Sequence, residues 1–280
     1  MQYIDARRDA IDDRLEAIMA SVEPEGLTRP MQHSLLSGGK RVRPTLTILT
    51  CEAVGGEMDD ALEFAVGVEL VHTASLVIDD IIDRSPVRRG EQSTWAKFGH
   101  SEAIIGTDGL LAEAFERFAT NERAMALVAE ALVELGEGEA TELVDQPKTR
   151  AGYIELARRK TGVLFRVAAE LGGIAGGADD ETIDGLGTYA ERVGVAFQIR
   201  DDVLDVIADP EVIGKPAGRD DAMDRPSLLA VSDLTPEDAD RYAHEQSDAA
   251  LEALDGVDIV DERIERYLRE LAHFVVERER

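Results

Sequence analysis

Cysteine is almost missing. Cys51 is the only one in 280 residues, so no disulfide can close within the chain, and a lone thiol of this kind is expected as a small buried hydrophobe. Aromatic residues make up only 5%. Alternating apolar and polar stretches of the strand type are absent. No apolar run reads as long enough to span a membrane, and no signal peptide is visible, so a soluble cytoplasmic protein is expected. Lysine is scarce as well. Of 30 Lys+Arg residues, the lysines are Lys40, Lys97, Lys148, Lys160 and Lys215 alone.

What is abundant is acid. The formal net charge is -28, which repels nucleic acid and excludes it as a partner. The acids run along the whole chain and form no tail, so they read as a solvated surface. An acid-rich, lysine-poor surface suits high salt, where self-repulsion is screened.

Helical periodicity covers residues 3–22, 44–55, 59–83, 101–118, 121–145, 151–175, 181–207 and 235–276. Loops are expected at 23–26, 37–44, 85–94, 208–226 and near 255–257, where Gly, Pro or charge cluster. The predicted architecture is a single all-α domain over residues 1–280, a bundle of ten or more helices. Segments 59–83 and 185–207 are apolar nearly all round, which places them at the centre of the bundle.

Both central segments end in acids. In the first, Asp79 and Asp83 are spaced i, i+4 and share a helix face, with Asp80 beside them. In the second, FQIRDDVLD from Phe197 to Asp205, Asp201 and Asp205 share a face with Asp202 alongside. Like charges at this spacing repel, so cations must lie between them. Carboxylate oxygens in this number suit a hard divalent ion, Mg²⁺ above all, which takes a few carboxylates together with substrate phosphates.

Bases flank the acids. SGGKRVRP carries Lys40, Arg41 and Arg43. Arg88 and Arg89 follow the first acid cluster, Lys160 opens KTG, and Lys215 follows the second cluster in GKPAG. Carboxylates ringed by Lys and Arg describe a site for a metal-bound polyanion such as a diphosphate.

With GGKRVRP, DDIIDRSPVRRG, KTGVLF and FQIRDDVLD in this order, the chain resembles the trans-isoprenyl diphosphate synthases, or polyprenyl synthetases, over most of its length. The resemblance implies an all-α fold around a central active-site cavity and a homodimer. It implies condensation of an allylic diphosphate with isopentenyl diphosphate and release of pyrophosphate, with Mg²⁺, three ions, bound alongside the diphosphate. Carried over by motif, Asp79, Asp83 and Asp201 correspond to direct Mg²⁺ ligands, and Asp80, Asp202 and Asp205 to outer contacts. Lys40, Arg43, His72 and Arg89 correspond to the isopentenyl diphosphate site. Arg88, Lys160, Thr161, Gln198 and Lys215 correspond to ligands of the allylic diphosphate. No separate strong base stands out, so the departing pyrophosphate is expected to take the proton, aided by Thr161 or Gln198.

Small residues at Ala74 and Ser75, with Val71 a turn further down, are expected along the substrate tail. In the family, bulky aromatics before the first acid cluster stop growth early. None is present here, which points to the C20 product, geranylgeranyl diphosphate, or longer. The match has departures. Ile78 replaces the usual His, Glu139 the usual Gln after Gly, and Asp224-Arg225-Pro226-Ser227 the usual Gly-Lys-x-Thr, leaving Arg225 as the basic residue there. These bear on allylic diphosphate affinity rather than on the reaction class. Two other readings share the acid motif: a class I terpene cyclase, and a catalytically silent subunit of a heteromeric prenyl synthase. The surface charge itself makes a prediction. Circular dichroism should show unfolding as salt is withdrawn; full stability in salt-free buffer would refute adaptation to high salt.

Overall fold

A computed structural model of the chain describes residues 2–207, 226–232 and 234–277. Helices dominate: α1 (Gln2–Ser21), α2 (Glu25–Leu36), α3 (Val42–Ala53), α4 (Met58–Ile82), the short α5 (Thr94–Phe98), α6 (His100–Phe118), α7 (Glu122–Leu143) and α8 (Arg150–Ala157). A π-helical turn, Arg158–Gly162, leads into α9 (Val163–Ala175), followed by α10 (Asp180–Ile207), α11 (Pro236–Asp255) and α12 (Glu262–Glu277).

The expected central helices are central. Helix α4 packs on α3, α6 and α9, and α10 on α9 and α11. Their buried residues, such as Leu70 and Val66 on α4 and Tyr189 and Val193 on α10, belong to one continuous hydrophobic core. By length and composition α4 is in fact apolar enough to cross a membrane, contrary to the expectation above, but its apolar surface is mostly buried in the bundle. Cys51 is buried in this core as expected.

Three local features depart from the periodicity. Helix α2 lies where no helix is expected, because its apolar side is confined to Leu27, Met31 and Leu35, with Pro30 inside it. The segment 235–276 is two helices, broken at residues 256–261. Between α4 and α5 a two-stranded antiparallel ribbon forms, β1 (Val87–Arg88) and β2 (Glu91–Gln92), with Arg88 opposite Glu91. Its two-residue turn needs left-handed backbone at both positions. Arg89 and Gly90 supply it, with φ of 52° and 83°.

Close helix crossings set where the site elements sit. Gly172 on α9 faces α3 so tightly that a Cβ there would come within 2.0 Å of Thr50 Oγ1 and 2.2 Å of the Thr47 carbonyl oxygen. Backbone on one side and a buried hydroxyl on the other leave no room to relax. This crossing holds the start of α3, and with it Arg43, against Phe165 of α9. Gly172→Ala should therefore destabilise the fold by about 1–3 kcal/mol, the usual range for overpacking. Urea denaturation measures it, and an unchanged midpoint would contradict the crossing.

Candidate active site

The end of α4, the hairpin, the π-turn and the end of α10 surround a cavity of about 620 Å³. Both acid clusters reach it. Asp79 and Asp83 line it from α4, and Asp201, Asp202 and Asp205 from α10. Burial, with the neighbouring carboxylates of Glu139 and Asp83, pushes the Asp79 carboxyl up to about 6 against the opposing pull of Lys160 and Arg88. A carboxylate held at this cost marks a place where positive charge is missing.

The sixth acid has a different task. Asp80 is buried and is absent from the cavity wall. It accepts from Arg88 through both oxygens, with Nε–Oδ1 at 3.0 Å and Nη2–Oδ1 at 2.7 Å. Asp80, expected among the outer contacts, anchors Arg88, whose guanidinium lines the cavity. Asp202 is also committed to protein partners. It accepts from the Tyr153 hydroxyl, from the Leu228 backbone N–H at 2.8 Å and from Gln198 Nε2 at 3.1 Å. Thr161 Oγ1 in turn donates to Gln198 Oε1 at 2.8 Å. Because a carboxylate can only accept, the Gln198 amide must point its NH₂ at Asp202 and its oxygen at Thr161. The hydroxyl proton of Thr161 is thus spent on Gln198, and its lone pairs remain for the cavity.

Lys160 and Thr161 project from the π-turn, a distortion common at functional sites. Here three consecutive bases fan onto the acids of α7. Arg158 Nη1 meets Glu134 at 2.7 Å, Arg159 Nη1 meets Glu137 at 2.7 Å, and Lys160 Nζ meets Glu139 at 2.7 Å and Glu142 as well. Burial would lower the Lys160 ammonium, but Glu142, Asp79 and Glu139 outweigh it and raise its pKa, so it stays charged.

A second cavity of about 550 Å³ adjoins the first. Lys40, Arg43, His72 and Arg89 line it, together with Phe197 and Phe274. Arg43, His72, Arg89 and Phe197 line both cavities, so they form the wall between them. Arg43 lies over the Phe165 ring at 4.5 Å, and its Nη1 is 3.1 Å from His72 Nε2. Desolvation first, then Arg43 and Arg89, hold His72 well below its ordinary pKa. It is neutral and accepts from Arg43. Burial and the nearby Arg89, against the pull of Glu69, lower Arg43 to about 10. Its Nε is sealed from solvent with no hydrogen-bond partner among the described residues. An orphaned guanidinium donor points to an anion that belongs there. Arg41, the middle base of the loop, is different. It is buried between Glu69 and Asp12 and donates to the Leu35 carbonyl, fixing the loop rather than serving a ligand.

Lys215 and Arg225 lie outside the described residues. Of the tail residues, Ser75 lines the first cavity, with Leu76 beside it. Ala74 and Val71 are instead packed in the core. The helical rotation accounts for this: residues 72, 75, 79 and 83 share the cavity face, and 71 and 74 turn from it. Sequence reasoning also missed Glu142, Tyr153 and Phe197 as parts of the wall. Phe197 stood inside a quoted motif, and Glu142 follows Glu139 by one turn; Tyr153 gave no signal.

A helical bundle whose central helices carry facing DDxxD ends, beside two base-lined cavities, defines an enzyme that handles diphosphates. The chain belongs to the polyprenyl synthetase family, whose family model matches residues 24–257, and is thereby a prenyltransferase. It is 37% identical over 246 residues to the short chain isoprenyl diphosphate synthase of Methanothermobacter thermautotrophicus, covering 84% of this chain and 76% of that one. It is 34% identical to the geranylgeranyl diphosphate synthase of Methanosarcina mazei, covering 81% and 73%. The crystal structure of geranylgeranyl pyrophosphate synthetase from Pyrococcus horikoshii superposes with a TM-score of 0.91 at 32% identity, covering 99% of this chain and 98% of that one.

One contact holds the Thr161–Gln198–Asp202 hydrogen bonds in register. Gly194 on α10 lies against the π-turn, where a Cβ would come within 2.8 Å of Gly162 Cα and 3.0 Å of Phe165 Cδ2. Gln198 is one turn further along the same face. Gly194→Ala should push α10 from the π-turn, break the Thr161–Gln198 bond and lower kcat by about tenfold. Steady-state kinetics on variant protein still folded by circular dichroism would test it; unchanged kcat would refute the coupling.

Proposed function

We propose that the protein joins an allylic diphosphate to isopentenyl diphosphate head to tail and releases pyrophosphate, with geranylgeranyl diphosphate, C20, as its product. The carrying observation is the pair of adjoining cavities with a shared basic wall. One is flanked by carboxylates and Lys160, and the other holds a guanidinium with an unmatched donor. Two anionic substrates that must meet at one carbon need this arrangement. A terpene cyclase, with one diphosphate, has no use for the second cavity, and a silent subunit has no use for two whole acid clusters.

Mg²⁺ fits the donors. Asp79, Asp83 and Asp201 offer hard oxygens to the cavity, with Asp205 beside them. Among the described residues no three such groups stand close enough to hold an ion by themselves. That suits an ion which completes its shell with substrate phosphate and water. When bound, it neutralises the charge that grows on the leaving pyrophosphate. Arg88 and Lys160 add fixed positive charge at the same place. Leu76, Leu156 and Leu164, which line the cavity, keep water from the allylic cation. Arg43, Arg89, Lys40 and neutral His72 orient isopentenyl diphosphate with its double bond toward that cation. The new carbon–carbon bond leaves a cation, and the proton beside it passes to the pyrophosphate. Thr161, held by Gln198, presents its lone pairs along that route. The protein works as a homodimer, which would cover the adjacent exposed residues Ile104 and Ile105 of α6.

The tail runs along the α4 face that carries Ser75. Two measurements test these readings. In Mg²⁺ and high salt, pyrophosphate should be released only when both isopentenyl diphosphate and an allylic diphosphate are present; release from the allylic substrate alone selects a cyclase. Ser75→Phe should shorten the product below C20 by chromatography, whereas an unchanged chain length would refute the tail path.

A further inference from the structure

The cations of the two cavities are not equally available. Arg43 has a sealed Nε without a partner and lies against an aromatic ring. Lys160 is bridged by two carboxylates at once, Glu139 at 2.7 Å and Glu142. These glutamates are one turn apart on α7 and straddle the ammonium. Three charges thus sum to one net negative, with Asp79 near enough to add to it. The geometry is tightly held. Gly138 brings α7 so close that a Cβ there would meet Arg159 Cβ at 3.0 Å and Lys160 Cγ at 3.1 Å. Glu139 stands behind Lys160 rather than on the cavity wall, and its Oε1 is sealed with no hydrogen-bond partner among the described residues. The charge of Glu139 is felt at the cavity through Lys160, which it bridges, and at Asp79 on the wall.

We propose that Glu139 is a positioning residue that makes Lys160 a conditional ligand: with Glu142 it neutralises the ammonium, and a diphosphate gains Lys160 only when divalent cations enter the cavity with it. A diphosphate arriving alone meets carboxylates on both sides and a lysine already matched. Divalent charge offsets the surplus, and the third hydrogen of the ammonium then finds a phosphate oxygen. The adjoining cavity, with Arg43 unmatched, carries no such condition. The inference rests on the reading of the first cavity as a diphosphate site.

Titration calorimetry with inorganic pyrophosphate, in chelator and in saturating Mg²⁺ at one ionic strength, reads the condition directly. Wild type should bind far more tightly with Mg²⁺. Glu139→Gln, which keeps the shape and removes the charge, should bind about tenfold more tightly than wild type in chelator. With Mg²⁺ its affinity should change less than about twofold, so the ratio of the two affinities collapses. Glu139→Asp, which keeps the charge, should retain the wild-type ratio. Equal shifts in both conditions, or none in either, overturn the proposal, because a merely structural role moves both alike. If the Gln variant does not fold, Glu139→Met, of similar length and uncharged, carries the same expectation. Failure of wild type to bind pyrophosphate even with Mg²⁺ would overturn the diphosphate reading and this inference with it. Magnesium-dependent binding with an unchanged ratio in the Gln variant overturns the inference alone.

Discussion

Carboxylates of like charge held on opposite sides of one cavity are the constraint on which the structure depends. Water would disperse them, and only a rigid frame can keep them together. Helices α4 and α10 supply that frame because both are core helices, packed along most of their length. Their acids are then carried to the cavity by helical geometry alone. The surroundings divide the work: Asp79, Asp83, Asp201 and Asp205 face the cavity, Asp80 holds a neighbour behind it, and Asp202 does both. Asp80 fixes Arg88, and Asp202 fixes Gln198, Tyr153 and the backbone of Leu228. The DDxxD pattern is therefore two devices in one segment: the i, i+4 pair faces the cavity, and the acid between them, rotated by 100° per residue, braces the neighbours.

The same rotation explains what could be read from the chain and what could not. Asp79 and Asp83 were legible because shared-face spacing is a local property. The two central helices were legible because their apolar character persists around the whole circumference. Ala74 was misplaced relative to Ser75 because a spacing of four or five residues from Asp79 both count as about one turn. Only the packing of α4 decides which of them meets the cavity. The ribbon at Val87–Gln92 was invisible to periodicity, since two residues cannot display an alternation; its trace was the Arg89-Gly90 pair, a turn requirement rather than a strand one. Tyr153 bonds Asp202 across 49 residues of chain, and no local pattern encodes such a meeting.

Electrostatics separates the two cavities more sharply than their linings suggest. Each carries bases, and from sequence they look alike. In the fold, Arg41 is absorbed by Glu69 and Asp12, Arg88 by Asp80, and Lys160 by Glu139 and Glu142. Arg43, Arg89 and Lys40 form no ion pair with a carboxylate among the described residues: Arg43 faces His72 and a phenyl ring, Arg89 donates to the Gly38 carbonyl and Lys40 lies by the Phe274 ring. Counting bases near a site says little about the potential there; what matters is which carboxylates have already claimed them.

The choice between arginine and lysine follows from the same competition. In a chain with 58 acids and 30 bases, each base that bridges several acids offsets more repulsion than one that meets a single partner. Arginine's planar fork does this. Arg158 reaches Glu134, Glu155 and Glu191, and Arg166 reaches Glu134, Glu170 and Glu191. These bridges stitch α7, the π-turn, α9 and α10 into one body around the cavity. A flexible ammonium is poorly suited to that task but well suited to changing partners. Lys160, between two glutamates, lines the first cavity, and Lys40, with its Nζ 5.5 Å from the Phe274 ring, lines the second. Fixed bridging thus falls to arginine, while Lys160 and Lys40 stand at the cavities and Lys97 lies by His33 and Phe98, away from them.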